Sequence, residues 1–395
     1  MNCFTKSILP VLFITLSLSA TEPEKFFPVM PWNTAPTDRA VIDKIKECGF
    51  TVAGFVAPPT LKLCRKAGIK GIVQDPRIYN YDWTHVDEKI ARSNVVAAIR
   101  AVRKNPAVYG FYLRDEPGTS YFTGLATVAS LVRQEAPGKW PYINLFPNYA
   151  NSDQLGTTTY EEYLEKFIAT CHPTQLSYDH YALYDNGNLG DGYWTNLEQM
   201  RTAAKKHDLP FWNIVLGVGH FSFREPSLAD LRFEVFSSLS YGARGIAYFT
   251  YFAPQTGNYR GAAIDQFGHQ TATWVSLQNV NLQIQKLAPT LLDLTSDETY
   301  HFGAIPPGCR GRDTNSLVTA MNGEFAAGDF THRNGTRYVM LVNKNLAKSI
   351  PCLPQFRHPP KSVKLISPYT GAETSFDGEN IWLAPGHGAL LKLEK

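Results

Sequence analysis

The residues most suited to chemistry are Asp115 and Glu116, two adjacent carboxylic acids followed by Pro117. They close an apolar run, Val108–Arg114, whose length and aromatic and β-branched content are those of a buried strand. Pro117 lacks an N–H and disfavours the helical region for the residue before it, so the strand is expected to end there. Acidic groups at the mouth of a buried strand are costly to place unless they have a partner or a use. One carboxyl that keeps its proton can act as a general acid. A second can act as a base, a nucleophile or an electrostatic stabiliser. The structural alternative is that Asp115 caps the next helix and Glu116 pairs with Arg114 or another base.

Such groups need elements to position them. Strand-like and helix-like segments alternate from residue 26 to about 292. Strands are expected at Phe26–Pro31, Phe50–Val56, Gly71–Gln74, Val108–Arg114, Tyr142–Leu145, Gln175–Ala182, Phe211–Leu216 and Gly245–Tyr251. Helices are expected at Asp38–Cys48, Thr60–Ala67, Asp87–Val102, Phe122–Glu135, Tyr160–Ala169, Leu197–His207, Leu228–Ser240 and Ser276–Thr290. Gly49 and Gly68 stand where helix stops belong, and Ser227 with Asp230 forms a capping pattern. Eight β/α units predict an α/β fold, a (β/α)8 TIM barrel. A doubly wound open sheet would place a Gly-rich phosphate turn after the first strand. Pro31-Trp32-Asn33-Thr34 is not one.

After residue 293 helical spacing disappears. Short strands are expected at Leu317–Met321, Phe325–Phe330, Tyr338–Val342, Val363–Ile366 and Ala389–Leu393, with an Asn334-Gly335 hairpin signal. The predicted organisation is a signal peptide over 1–20, a TIM-barrel domain over 21–293 and a small C-terminal antiparallel β-sandwich domain over 294–395.

Barrel active sites lie at the C-terminal ends of the strands, so those ends supply the candidates. They are Trp32; Arg114, Asp115 and Glu116; Asn144; Asp179, His180 and Tyr181; His220 and, in the loop beyond it, Glu225; and Tyr251. Carboxylates, amides, aromatics and a few basic groups suit sugar binding. Trp32, Tyr181, Trp212 and Tyr251 are the rings available to stack on a sugar face or, equally, to fill a core. A lone histidine near a strand end is ordinarily a satisfied polar group, and His220 is kept as a binding candidate. Clustered metal ligands are thin, and neither metal nor cofactor is expected.

The segments Tyr109–Pro117, Ser177–Tyr181 and Tyr241–Tyr251 together resemble clan A glycoside hydrolases, closest to barrels of the family 42 β-galactosidase kind and their secreted relatives. The trailing β domain, which ends Leu383-Ala384-Pro385-Gly386-His387-Gly388, is similar to C-terminal domains often appended to such barrels. The resemblance implies a glycosidase acting on an oligo- or polysaccharide. The clan's fourth strand ends Asn-Glu-Pro with Glu as acid/base, and the matching residue is Glu116. Asp115 replaces the clan's Asn. The clan's second catalytic Glu closes the seventh strand, yet Ile214–His220 carries no carboxylate. Asp179 is the first candidate for the second carboxylate and Glu225 the next. Loss of hydrolysis, leaving a silent carbohydrate-binding barrel, is the third possibility. A metal-assisted lyase or isomerase would need convergent ligands that the strand ends do not supply.

Composition sets the remaining bounds. The chain has 395 residues, 44% hydrophobic and 13% aromatic, with a formal charge of +3 and no basic block. That balance offers no electrostatic footprint for nucleic acid. Lys6, the apolar stretch Ile8–Leu18 and small residues through Ala20 read as a secretory signal, so a secreted or periplasmic location is expected; an uncleaved anchor is the alternative. No membrane span remains after its removal. Beyond Cys3, five cysteines lack zinc spacing and are expected as buried free thiols.

Overall fold

The fold is described for residues 26–394 in a computed structural model. The predicted signal segment lies outside the described residues. Eight parallel strands form the inner ring: β1 (Val29–Pro31), β2 (Val52–Val56), β3 (Lys70–Val73), β4 (Val108–Asp115), β5 (Trp140–Asn144), β6 (Leu176–Asp179), β7 (Phe211–Leu216) and β8 (Gly245–Phe249). The main helices are α1 (Arg39–Glu47), α2 (Leu61–Ala67), α3 (Glu88–Val102), α4 (Phe122–Glu135), α5 (Tyr160–Cys171), α6 (Gly192–Lys206), α7 (Leu228–Ser240) and α8 (Ala272–Leu291). The ring closes at two seams. β1 pairs with β8, while the chain just beyond it, Thr34–Ala35, pairs with β2. Between β5 and β6 the bridge is Leu145 to Tyr178, with Leu145 N donating to Ser177 O at 2.8 Å. The architecture is the expected (β/α)8 barrel.

The barrel interior is strongly aromatic. Phe55, Trp140, Tyr142 and Trp212 fill it with Met30, Val52, Ile72, Ile214 and Ala247. Trp212 is thus a core ring, fully buried, and not a surface for a sugar. It fits because β8 opens with glycine: a Cβ at Gly245 would stand 2.5 Å from the indole. The outer layer of Ile, Val and Leu packs the helices onto the ring.

Two helices start earlier than their periodicity predicts. α6 begins at Gly192, before its first aliphatic residue, because Tyr193 and Trp194 already bury their rings. α8 begins at Ala272, where the Thr271 hydroxyl accepts from Thr273 N. The strand that opens the C-terminal sheet was also hidden. β9 (Leu294–Phe302) is polar over most of its length and shows no alternation.

The C-terminal sheet is antiparallel, in the order β9, β10 (Phe325–His332), β11 (Arg337–Asn343), β14 (Gly388–Glu394), β12 (Ser362–Ile366) and β13 (Glu373–Ser375). Side chains alternate across it, as strand geometry requires. Ala326, Phe330, Met340, Val342 and Leu390 join the barrel core, where the sheet lies on α7. Phe325, Ala327, Val339, Leu341 and Leu391 face the other way, covered by Val318, Cys352 and Leu383. Val318 and Leu383 belong to two short ribbons, Val318–Ala320 with Gln355–Phe356 and Ile350–Pro351 with Trp382–Leu383, Cys352 follows Pro351 of the second, and together they make a small β-sandwich. Cys48, Cys64, Cys171 and Cys352 are buried free thiols, and Cys309 is a half-buried one. Among the described residues no helix is long and apolar enough to cross a membrane.

Candidate active site

A cleft of about 190 Å³ opens at the C-terminal end of the barrel, lined by Trp32, Asp115, Glu116, Asn144, Asp179, Tyr181, Ile214, His220, Phe221, Phe249 and Tyr259. Hollows of about 530 and 550 Å³ elsewhere bring no two carboxyls together, and one of about 280 Å³ that carries Glu161, Glu165 and Glu198 lies between the outer helices α5 and α6.

The carboxyls meet because β4 ends abnormally. Neighbours in an extended strand point to opposite faces. Glu116 instead adopts a left-handed backbone, φ 44°, while its N–H still donates to Asn144 O at 2.9 Å. The alternation breaks there, and Asp115 and Glu116 line the same cleft. Left-handed backbone at a residue with a side chain is strained, and such strain collects at functional positions.

Asn144, at the end of β5, is the junction of the polar network. Its Nδ2 donates to Asp115 Oδ1 at 3.0 Å and to Asp179 Oδ1 at 2.7 Å. Its Oδ1 accepts from Ser177 Oγ at 2.9 Å, Ser177 Oγ lies 3.1 Å from the Tyr142 hydroxyl, and Trp32 Nε1 donates to that hydroxyl at 3.1 Å. An indole N–H can only donate. Every proton in the chain therefore points the same way, from Trp32 through Tyr142 and Ser177 to the Asn144 carbonyl. The amide is left to present both its hydrogens to carboxyls.

Burial and mutual repulsion hold protons on these acids. Burial pushes Glu116 up to about 7, helped by the charge of Asp115. Burial also raises Asp115, to about 6, against the pull of the Asn144 amide and Arg114. Asp179 is 5% exposed; burial, then the charges of Glu116 and Asp115, raise it well above the usual carboxylate range. The site therefore offers a proton near neutral pH and a store of negative charge beside it.

The opposite wall is aromatic. The His220 ring lies 5.6 Å from Tyr259 at 18° between planes, and 5.3 Å from Tyr181. Its Nδ1 is 3.0 Å from Val218 O, and a carbonyl only accepts, so Nδ1 carries the proton. Burial keeps the imidazole neutral by lowering its affinity for a second proton. The wall is tied shut by Arg260. Its guanidinium donates to Asp185 Oδ1 at 2.6 Å and to Phe223 O at 3.1 Å, and its backbone pairs with Gly219. Asn258 clasps Phe221 through both main-chain groups, its Oδ1 accepting from Phe221 N at 2.7 Å and its Nδ2 donating to Phe221 O at 2.9 Å.

Of the residues expected from sequence, the structure brings Trp32, Asp115, Glu116, Asn144, Asp179, Tyr181 and His220 together. It places four others away from the cleft. Arg114 lies over the Tyr121 ring at 5.4 Å. His180 turns its Nδ1 to Asn196 Oδ1 at 3.0 Å and is buried beside α6. Glu225 is an exposed partner of Arg260 at 3.7 Å. Tyr251 is a core ring whose hydroxyl accepts from Trp274 Nε1 at 3.0 Å. Sequence reading passed over Ile214, Phe221, Phe249 and Tyr259 in the lining, and Tyr142 and Ser177 in the network. Period-two spacing from Asn144 and Asp179 would have found the last two. Among the described residues no group of three or more His, Cys, Asp or Glu side chains is arranged to hold a metal ion.

The fold is similar to that of solved glycoside hydrolases. A glycoside hydrolase family 5 protein from Bacteroides vulgatus matches at TM-score 0.60 with 14% identity, covering 93% of this chain and 90% of its own. A catalytic mutant of a family 42 β-galactosidase from G. stearothermophilus matches at TM-score 0.64 with 8% identity, covering 93% and 98%. The likeness is one of fold. A β-galactosidase from the psychrophilic Marinomonas ef1 matches at TM-score 0.51 and 10% identity, and this chain spans 62% of that protein's length. No protein-family model matches the sequence, and no curated protein does.

Proposed function

We propose that this protein is an exported glycoside hydrolase that cleaves O-glycosidic bonds of an oligo- or polysaccharide, with Glu116 as general acid. The observation that carries the reading is the environment of Glu116: a cleft-lining carboxyl kept protonated near neutral pH by burial and by Asp115. Glycoside cleavage needs one carboxyl to protonate the departing oxygen while positive charge builds at the anomeric carbon. Asp179 is the second carboxyl. It lies beside Asp115, whose carboxylate supplies the negative charge that stabilises that centre, and one amide holds both in place. Trp32 and Tyr181 are the rings placed to meet a sugar face. The chain's similarity in fold to family 5 and family 42 glycoside hydrolases supports the same reading.

The absence of a carboxylate over Ile214–His220 favours one competing reading, a barrel that binds glycans without cleaving them. Activity screening with Glu116→Gln separates the two. The hydrolase reading expects turnover of at least one glycan or aryl glycoside, lost in the variant with the fold intact. Glycan affinity with no turnover by either protein establishes the binding reading instead.

A further inference from the structure

The carboxyls account for the departing group but leave the attacking water without a base. Asp115 is adjacent to Glu116 and so shares its wall. Asp179 is buried and shares the Asn144 amide with Asp115, and burial with the charges of Glu116 and Asp115 opposes its ionisation. Glu225 is turned to Arg260. The remaining proton acceptor in the lining is His220. Its Nδ1–H is committed to Val218 O, and among the described residues Nε2 has no partner. Strands four and seven stand three apart in a ring of eight, which puts Glu116 and His220 on facing walls of the cleft.

We propose that His220 Nε2 is the general base that activates the attacking water, making hydrolysis inverting. The inference rests on the glycosidase reading above. The water oxygen bonds to the anomeric carbon as its proton passes to Nε2. The bond from that carbon to the leaving oxygen breaks, and that oxygen takes the Glu116 proton. The imidazolium then loses its proton to solvent, and Glu116 regains one. The ring is well built for this. Tyr181, Phe223, Phe249 and Tyr259 fix its plane, and Val218 fixes its tautomer. The charged and titratable groups facing it are Arg260, with Glu225 behind, the Tyr181 and Tyr259 hydroxyls, and the three cleft carboxyls. Arg260 opposes protonation of the resting imidazole.

The test uses the full-length protein with 4-nitrophenyl glycosides of neutral hexoses and pentoses. His220→Gln is expected to lower kcat by about 10²–10⁴-fold with an unchanged unfolding midpoint. His220→Ala should recover part of its activity with added imidazole, and the first-formed sugar in proton NMR should be the opposite anomer. With 2,4-dinitrophenyl glycosides, whose leaving group needs no acid, the Glu116→Gln defect should shrink while the His220→Gln defect persists. Loss of turnover in Glu116→Gln with near-normal rates in both His220 variants overturns the base alone, as does retention of anomeric configuration. No turnover by the unsubstituted protein on any glycan or glycoside overturns both the base and the hydrolase reading.

Discussion

The side-chain amide of Asn144 donates to Asp179 at 2.7 Å from the neighbouring strand, and the same nitrogen donates to Asp115 at 3.0 Å. One neutral group therefore holds two acids that would otherwise repel. Hydrogen bonds to charged groups contribute about 1.5–3 kcal/mol each. Asn144→Ala is expected to cost about 2–4 kcal/mol at pH 8, where Asp115 is ionised, and less at pH 5, where it holds its proton. Urea unfolding at the two pH values checks this. An equal cost at both would mean that the amide is only filling space.

Arg260 joins the loops that follow β6, β7 and β8 through Asp185, Phe223 and Gly219, and its ion pairs are with Asp185 and Glu225, not with the carboxyls of the cleft. Its removal should loosen the wall carrying Phe221 and Tyr259 while leaving Glu116 and Asn144 on their strands. Partly exposed ion pairs contribute roughly 1 kcal/mol, so Arg260→Ala should raise KM on the order of fivefold. Steady-state kinetics should show kcat changing less than KM. A collapse of kcat at constant KM would instead place Arg260 in the chemical step.

The strand count and the strand ends were legible because burial on both faces produces compact apolar runs, and a barrel needs eight of them. Asp115, Glu116, Asn144 and Asp179 were found by where those runs stop. What a stop does not reveal is direction. Arg114 and Tyr251 also stand at strand ends, yet one lies over Tyr121 and the other is packed under Trp274. The joint presence of Asp115 and Glu116 in the cleft depends on a left-handed residue that alternation does not predict. Phe221 and Tyr259 lie in loops whose positions follow from Asn258 and Arg260, through contacts between residues far apart in sequence. β9 escaped because its polar residues carry no period and its pairing with β10 supplies the order.

The sandwich seats on the barrel through a glycine. A Cβ at Gly328 would collide with the Ser240 carbonyl oxygen at the end of α7. Backbone cannot turn aside as a side chain can, so Gly328→Ala should destabilise by about 1–3 kcal/mol. Gly138→Ala is the comparison. Its Cβ meets nothing within 4 Å, and only the left-handed backbone, φ 77°, is strained, at a cost of about 1–2 kcal/mol. Thermal unfolding should rank Gly328→Ala as the less stable of the two, and the reverse order would mean that the sheet can lift from α7 at little cost.

The cleft acids also set a pH dependence whose sign separates a catalytic cluster from an ordinary set of ion pairs. Their folded-state affinities for protons are raised, to about 6 for Asp115 and about 7 for Glu116. Between the usual carboxyl range, about 4, and those values the folded protein binds more protons than the unfolded chain. The acids' contribution to stability is therefore greatest at low pH. It falls as pH rises through that window and levels off above it. A paired carboxylate would do the opposite. Glu116→Gln removes one such acid, so the variant should unfold at a higher temperature than the unsubstituted protein above pH 7 and at nearly the same temperature near pH 4. Activity should fall over the same upper limb, above about pH 7, as Glu116 loses the proton it must donate. Unfolding midpoints and kcat/KM measured across pH 4–9 test both together. If Glu116→Gln is the less stable protein at pH 8, Glu116 is a stabilised carboxylate in the fold and cannot be the acid of this site.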